Sequence, residues 1–174
     1  MKGRRGPAKA QRRGPEQSPA EKMMAAALRM ISIRSYSEGE LRDRLERRSA
    51  GAEIVDECIR RLKELGYVND ELFAHSYASY RVRSRPLGRA RLAHELAIKK
   101  VSPKRINEAL DLVYGEVGEE QLIDRAIGKR IRKYGRPADR ASAKRMFDHL
   151  VRLGFEYDLI LRKLNKLKAK TESD

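Results

Sequence analysis

Three groups of basic side chains dominate the chemistry this chain can do. Arg81, Arg83, Arg85, Arg89 and Arg91 surround Pro86. Lys99, Lys100, Lys104 and Arg105 flank Ser102-Pro103. Lys129, Arg130, Arg132, Lys133 and Arg136 gather before Pro137. Such groups grip phosphate or carboxylate, arginine above all, because its planar fork presents paired donors. A helical wheel cannot place all of them on one face, so about half are expected to be solvated charge. Twelve are the candidate polyanion contacts: Arg81, Arg83, Arg85, Arg89, Arg91, Lys99, Lys100, Lys129, Arg130, Arg132, Lys133 and Arg136.

Catalysis finds little support. The histidines, His75, His94 and His149, lie far apart, with no i, i+4 pairing and no cysteine at metal-ligand spacing. No phosphate-binding glycine loop, dinucleotide fingerprint or nucleophile elbow occurs. Glu38, Glu40 and Asp43 read as acidic residues favoured at a helix N-terminus, and not as nuclease ligands. No catalytic residue, metal or cofactor is expected.

Composition points the same way. Lysine and arginine total 40 against 25 acidic residues, a net charge of +15, which favours nucleic acid or an acidic protein surface. The single cysteine, Cys58, rules out an internal disulfide and reads as a small core residue in a reducing, cytoplasmic setting. No apolar run approaches a membrane span, and the basic N-terminus lacks the apolar stretch of a signal peptide.

The elements that must carry these charges repeat. An apolar pair four apart with an aliphatic anchor 9 to 10 positions after its second member occurs as Leu41, Leu45 and Ile54, as Leu92, Leu96 and Ile106, and as Met146, Leu150 and Ile160. A period of about 50 residues marks a repeat architecture. Residues 1–17 read as a disordered basic tail. Ser18-Pro19-Ala20-Glu21 is a capping box opening a helix that carries Met24, Leu28 and Ile31 on one face. Ser37-Glu38-Gly39-Glu40 repeats the pattern. A third helix turns Ile54, Cys58, Ile59, Leu62 and Leu65 inward and stops at Gly66. Phe73, Tyr77 and Tyr80 follow on a helix ending at Pro86, with core packing preferred over base stacking for the tyrosines. Further helices carry Ile106, Leu110 and Val113, then Leu122, Ile123, Ala126, Ile127 and Ile131, and finally Leu161, Leu164 and Leu167. Strand alternation is absent. The expected fold is all-α: nine helices in three tandem three-helix, helix-turn-helix-like repeats, elongated and curved. Their boundaries are 18–67, 68–115 and 116–168, followed by a tail at 169–174. Small stacked repeats should share their cores.

Gly66-Tyr67-Val68-Asn69-Asp70-Glu71-Leu72-Phe73-Ala74 resembles the linker signature of the RecX family of bacterial regulatory proteins. Ser37-x-x-Glu40-Leu41-x-x-x-Leu45 resembles that family's first repeat, Gly88-x-x-x-Leu92-x-x-Glu95-Leu96-x-x-Lys99 its second, and Leu153-Gly154-Phe155 through Ile160 its third. The likeness covers residues 23–167. It departs from the family at Lys100, where glycine usually ends the helix; a helix stop without glycine is expected there, at about 1 kcal/mol. The irregular stop Arg48-Ser49-Ala50-Gly51 is a second departure. The resemblance implies a non-enzymatic, monomeric protein that binds the RecA recombinase filament on single- and double-stranded DNA without sequence preference. It implies lodging in the filament groove and modulating RecA, usually by inhibition. Should about five phosphates be neutralised on single-stranded DNA, log affinity would fall with log salt at a slope of about −3.5. The rival reading is a helix-turn-helix transcription factor, for which base-reading Asn and Gln are sparse.

Overall fold

The computed structural model describes residues 17–48 and 51–171, with side chains to Lys168. The expected basic tail over 1–17 falls outside the described residues save for Gln17, as do Ser49 and Ala50 of the irregular stop. The protein is all-α. Nine helices are described: α1 Pro19–Ile33, α2 Glu38–Glu46, α3 Ala52–Glu64, α4 Asp70–Ser84, α5 Arg89–Ile98, α6 Pro103–Val117, α7 Glu119–Tyr134, α8 Arg140–Arg152 and α9 Tyr157–Thr171. No strand occurs among the described residues. Packing falls into three trios, α1–α3, α4–α6 and α7–α9, and α6 also packs against α7.

Local chemistry sets the helix ends. The box at Ser18 forms in both directions: Glu21 N–H donates to Ser18 Oγ at 3.2 Å, and Ser18 N–H donates to Glu21 Oε2 at 2.8 Å. At Ser37 only half forms. Ser37 Oγ accepts from Glu40 N–H at 3.1 Å, but the Glu40 carboxylate turns instead to Arg34 and Lys99. Asp139 and Ser142 form a second reciprocal box opening α8.

Three stops share one geometry. At Gly66 (φ 75°), Lys100 (φ 59°) and Gly154 (φ 87°) the chain enters the left-handed region. In each, the following amide reaches back to the carbonyl three places before the cap: Tyr67 to Leu62, Val101 to Leu96 and Phe155 to Leu150. As expected, α5 stops without glycine, yet it does so in the left-handed region all the same. Lys100 adopts that conformation itself, the sole non-glycine to do so among the described residues.

The repeated apolar pairs are interior. Leu41, Leu45, Leu92, Leu96 and Leu150 are fully buried, and Met146 nearly so. The anchors Ile106 and Ile160 are buried, while Ile54 only packs against its core's edge. The buried face of α1 centres on Met23, Ala26 and Ala27; of the expected stripe, Met24 and Ile31 pack at the core's edge and Leu28 is exposed. Leu65, Leu161 and Tyr80 are likewise exposed. Cys58 is buried, and burial pushes its thiol pKa up.

The expectation of one shared core holds for two trios and fails for the third. Phe73, Leu92, Leu110, Leu122, Leu150 and Ile160 belong to a single cluster running through the second and third trios. The first trio has its own, around Leu41, Leu45, Val55, Ile59 and Leu62. Val68, just past α3, seals it.

Both junctions between trios nevertheless join the same helix ends. The N-terminus of α2 meets the C-terminal stop of α5, and the N-terminus of α5 meets that of α8. Ser37 Oγ donates to Lys99 O, while Gly88 N–H donates to Leu153 O at 2.8 Å. Glu38 N–H donates to Asp70 Oδ1 at 2.7 Å, and Arg89 N–H to Glu119 Oε1 at 3.0 Å. Each carboxylate opens the next trio's first helix. The middle helices α2, α5 and α8 thus line up head to tail, positive N-termini on negative C-termini, and their otherwise unpaired amides are satisfied.

Candidate polyanion interface

Of the twelve candidate cations, five are occupied inside the molecule. Arg81 grips Glu95 through Nε and Nη2 at 2.8 and 2.9 Å, and Arg91 Nε reaches the same carboxylate at 3.1 Å. The Tyr77 hydroxyl also donates to Glu95, at 3.1 Å. Burial pushes the Glu95 carboxyl pKa up, but the hydrogen bonds from Arg81 and Arg91 outweigh burial and leave it below its usual value. Arg89 pairs with Asp111 at 2.6 Å. Lys99 and Lys100 cross the first junction to Glu40 and Asp43, at 3.4 and 2.6 Å. Four of these five tie one helix or helix end to another, and Arg91 braces Glu95 within α5.

The other seven, Arg83, Arg85, Lys129, Arg130, Arg132, Lys133 and Arg136, make no ion pair among the described residues. Four of them meet. The C-terminal half of α7 carries Lys129, Arg130 and Lys133 on the stripe that continues from Ala126, and the loop after α4 brings Arg85 opposite them. Together with Pro86, Tyr134, His149 and Leu153 they line a groove of about 240 Å³ between the second and third trios. The fold places them by burying the apolar N-terminal part of this side of α7, Leu122, Ile123, Ala126 and Ile127, so that the cations emerge where the stripe leaves the core. Gly135, at φ 80°, then ends α7 and leads Arg136 into an adjoining depression of about 350 Å³ shared with Arg130, Tyr134 and Arg145. No acidic residue lines either hollow. Arg132 lies outside both. Arg83 lines a separate cleft on the other side of α4, beside Glu116.

Three groups here were not singled out from the sequence. Exposed Tyr134 lies between Arg130 and Lys133, each 5.0 Å from its ring centre. Arg145 comes from α8. His149, also from α8, is half-buried, and its pKa is lowered by burial and then by the charges of Arg130, Arg152 and Arg85. The i, i+4 relation of Arg145 to His149 was available, but which helix α8 faces was not. An arrangement of this kind concentrates uncompensated positive charge around a partly desolvated floor, which attracts phosphate oxygens.

Among the described residues, no cluster of histidine, cysteine, aspartate or glutamate could hold a metal ion. No described helix is long and apolar enough to cross a membrane.

Three helical trios joined by a repeated helix-end contact define an all-α tandem-repeat protein of helix-turn-helix-like units. Residues 24–62 match the model of the RecX first three-helix domain, and residues 69–110 that of the RecX second three-helix domain. The chain is 36% identical over 136 residues to the regulatory protein RecX of Deinococcus radiodurans, covering 78% of this chain and 63% of that one. It is 29% identical over 140 residues to the regulatory protein RecX of Syntrophotalea carbinolica, covering 79% and 91%. A crystal structure of RecX from Lactobacillus salivarius superposes with a TM-score of 0.76 at 21% identity, covering 86% of this chain and 97% of that one. The chain belongs to the RecX family. It spans less than two thirds of the Deinococcus relative.

Proposed function

We propose that this chain is a regulator that binds the RecA recombinase filament on DNA and inhibits it, slowing recombinase, ATPase and SOS co-protease activities without chemistry of its own. The observation that carries this reading is the groove of unpaired cations at Arg85, Lys129, Arg130 and Lys133. It suits the phosphates of a nucleoprotein filament. The three repeats, bounded as the sequence suggests, act as linked units on one monomer, so several weak contacts gain avidity together. DNA is held without sequence preference, because phosphate contacts position a protein and carry no base information. A cytoplasmic setting fits the reduced Cys58.

ATP hydrolysis by the cognate RecA on single-stranded DNA tests the reading. Stoichiometric wild-type chain should slow hydrolysis. The Lys129→Glu/Lys133→Glu variant should need at least about tenfold more protein for the same effect, since two phosphate contacts become repulsive. Unchanged hydrolysis with wild-type protein overturns the reading.

A further inference from the structure

Four of the seven tyrosines, Tyr36, Tyr67, Tyr77 and Tyr80, line one cleft of about 600 Å³ at the first junction. It lies between the segment after α1, the α3–α4 turn and the outer face of α4. Phe73 and Tyr77 stack as its floor, with ring centres 6.1 Å apart. Tyr36 is held by Arg34, 3.7 Å from its ring centre. These three rings are engaged. Two others are open: Tyr67 is 55% exposed and Tyr80 64%, and among the described residues neither stacks on a ring or has a cation over its face. Leu72, 63% exposed, stands beside them.

Large rings left open next to a built aromatic floor have a use if something flat covers them. Arg34 and Lys99 flank the cleft and share one carboxylate, Glu40, leaving a net positive charge there. No acidic residue lines it. An aliphatic side chain from a protein could fill the floor but would leave that charge unanswered. A nucleotide satisfies both, base on ring and phosphate on cation.

The cleft also has a route to the basic groove. Phe73, Tyr77 and Tyr80 lie along one stripe of α4, and Arg85 caps that helix at the groove. Twelve residues of helix separate Phe73 from Arg85, about 18 Å at 1.5 Å per residue. One strand could therefore place phosphates in the groove and a base in the cleft.

We propose that the aromatic cleft takes an unstacked base of single-stranded nucleic acid, with Tyr67 and Tyr80 as the stacking faces. This rests on the reading that the basic groove takes a polyanion. Duplex bases stay stacked and cannot enter, so the cleft discriminates single strands from duplex while the groove does not.

Fluorescence anisotropy of the full chain with three probes tests this: a thymidine oligomer, an abasic oligomer of equal length, and a duplex. The wild type should prefer the thymidine oligomer over the abasic one by about tenfold. The Tyr67→Ala/Tyr80→Ala variant should lose that preference and bind the abasic oligomer and the duplex as before. Tyr67→Phe/Tyr80→Phe keeps the rings and should keep the preference. Undiminished thymidine binding by the alanine variant, equal loss on all three probes, or loss in the phenylalanine variant overturns the proposal. So does intact thymidine binding with weakened RecA binding, which would assign the cleft to a protein side chain. If Lys129→Glu/Lys133→Glu leaves all three probes bound normally, the groove reading fails; silent tyrosine variants sink only the cleft.

Discussion

The two junctions between trios join the same helix ends and differ in what lies beneath them. At the first, Gly39 faces the left-handed Lys100, and two ion pairs, Glu40–Lys99 and Asp43–Lys100, span the seam. The apolar cores on either side stay separate. At the second, Gly88 lies directly against Gly154, and one core runs beneath both trios. There the Tyr114 hydroxyl donates to Leu87 O at 2.9 Å inside the core, and burial pushes its pKa up. A repeated helix-end contact therefore specifies how units stack, while the apolar surface under it decides whether they unfold together. With no apolar core continuing beneath the half-buried ion pairs of the first seam, the first trio should open independently, whereas the second and third form one cooperative block.

The largest break should come from Gly88→Ala. Its new Cβ would collide with the Gly154 carbonyl group and the Phe155 nitrogen, both backbone, which cannot swing aside. A loss of about 3 kcal/mol is expected, read in thermal melts as a lower midpoint for the transition involving the second and third trios, with the first trio's unchanged.

Glu95→Gln comes next. It removes the negative charge and one of the two acceptor oxygens shared by Arg81, Arg91 and Tyr77 inside the cooperative block, and should cost about 2 kcal/mol. Because the folded-state pKa of Glu95 is lowered from 4.5, its contribution is present above that value and is lost as pH falls through the folded pKa. Acid titration of stability should be shallower in the variant than in the wild type.

Gly39→Ala breaks the first junction instead. Its Cβ would stand 2.5 Å from Lys100 Cβ and 3.0 Å from Lys100 O. The expected cost is about 1 to 2 kcal/mol, seen as faster hydrogen exchange at the Glu38 amide, which donates across the junction to Asp70, with helicity intact. Lys100→Gly removes the first of those clashes, so the cost of Gly39→Ala should shrink in that background. Equal cost in both backgrounds would show that Lys100 Cβ is not the obstacle.

The smallest effect asks whether the second junction also senses its ligand. Burial, and then the charges of Arg130, Arg152 and Arg85, oppose protonation of His149 in the groove, and a bound polyanion would offset those charges. Binding of a DNA oligomer should tighten a few-fold from about pH 7.5 to about pH 5.5. His149→Gln should flatten that slope, and an unaltered slope would remove His149 from the groove's chemistry.

Much of the fold was legible because buried leucines at i, i+4 advertise a core face whatever they pack against. Leu41/Leu45 and Leu92/Leu96 sit where that pattern places them. The pattern misled in α1, where Ala25, Ala26 and Ala27 offer little contrast between faces and close packing at Ala27 chose the phase. Lys100 shows a second limit: the contact with Gly39 and the pair with Asp43 come from a trio more than 50 residues upstream. The cations were legible as a population but not as a site. Arg91 and Glu95 stand four apart, so their pairing could be read locally. Arg81 reaches the same carboxylate across helices, a relation no spacing encodes. Arg85 meets Lys129 and Lys133 only because the trios share a core.

One helix end differs from its two counterparts in how its amides are met. The N-termini of α2 and α5 borrow a neighbour's carbonyl and carboxylate. That of α8 answers its own amides through Asp139 and Ser142. The row of middle helices thus has a direction: each of the first two leans on the next, and the last meets its own amides with two side chains.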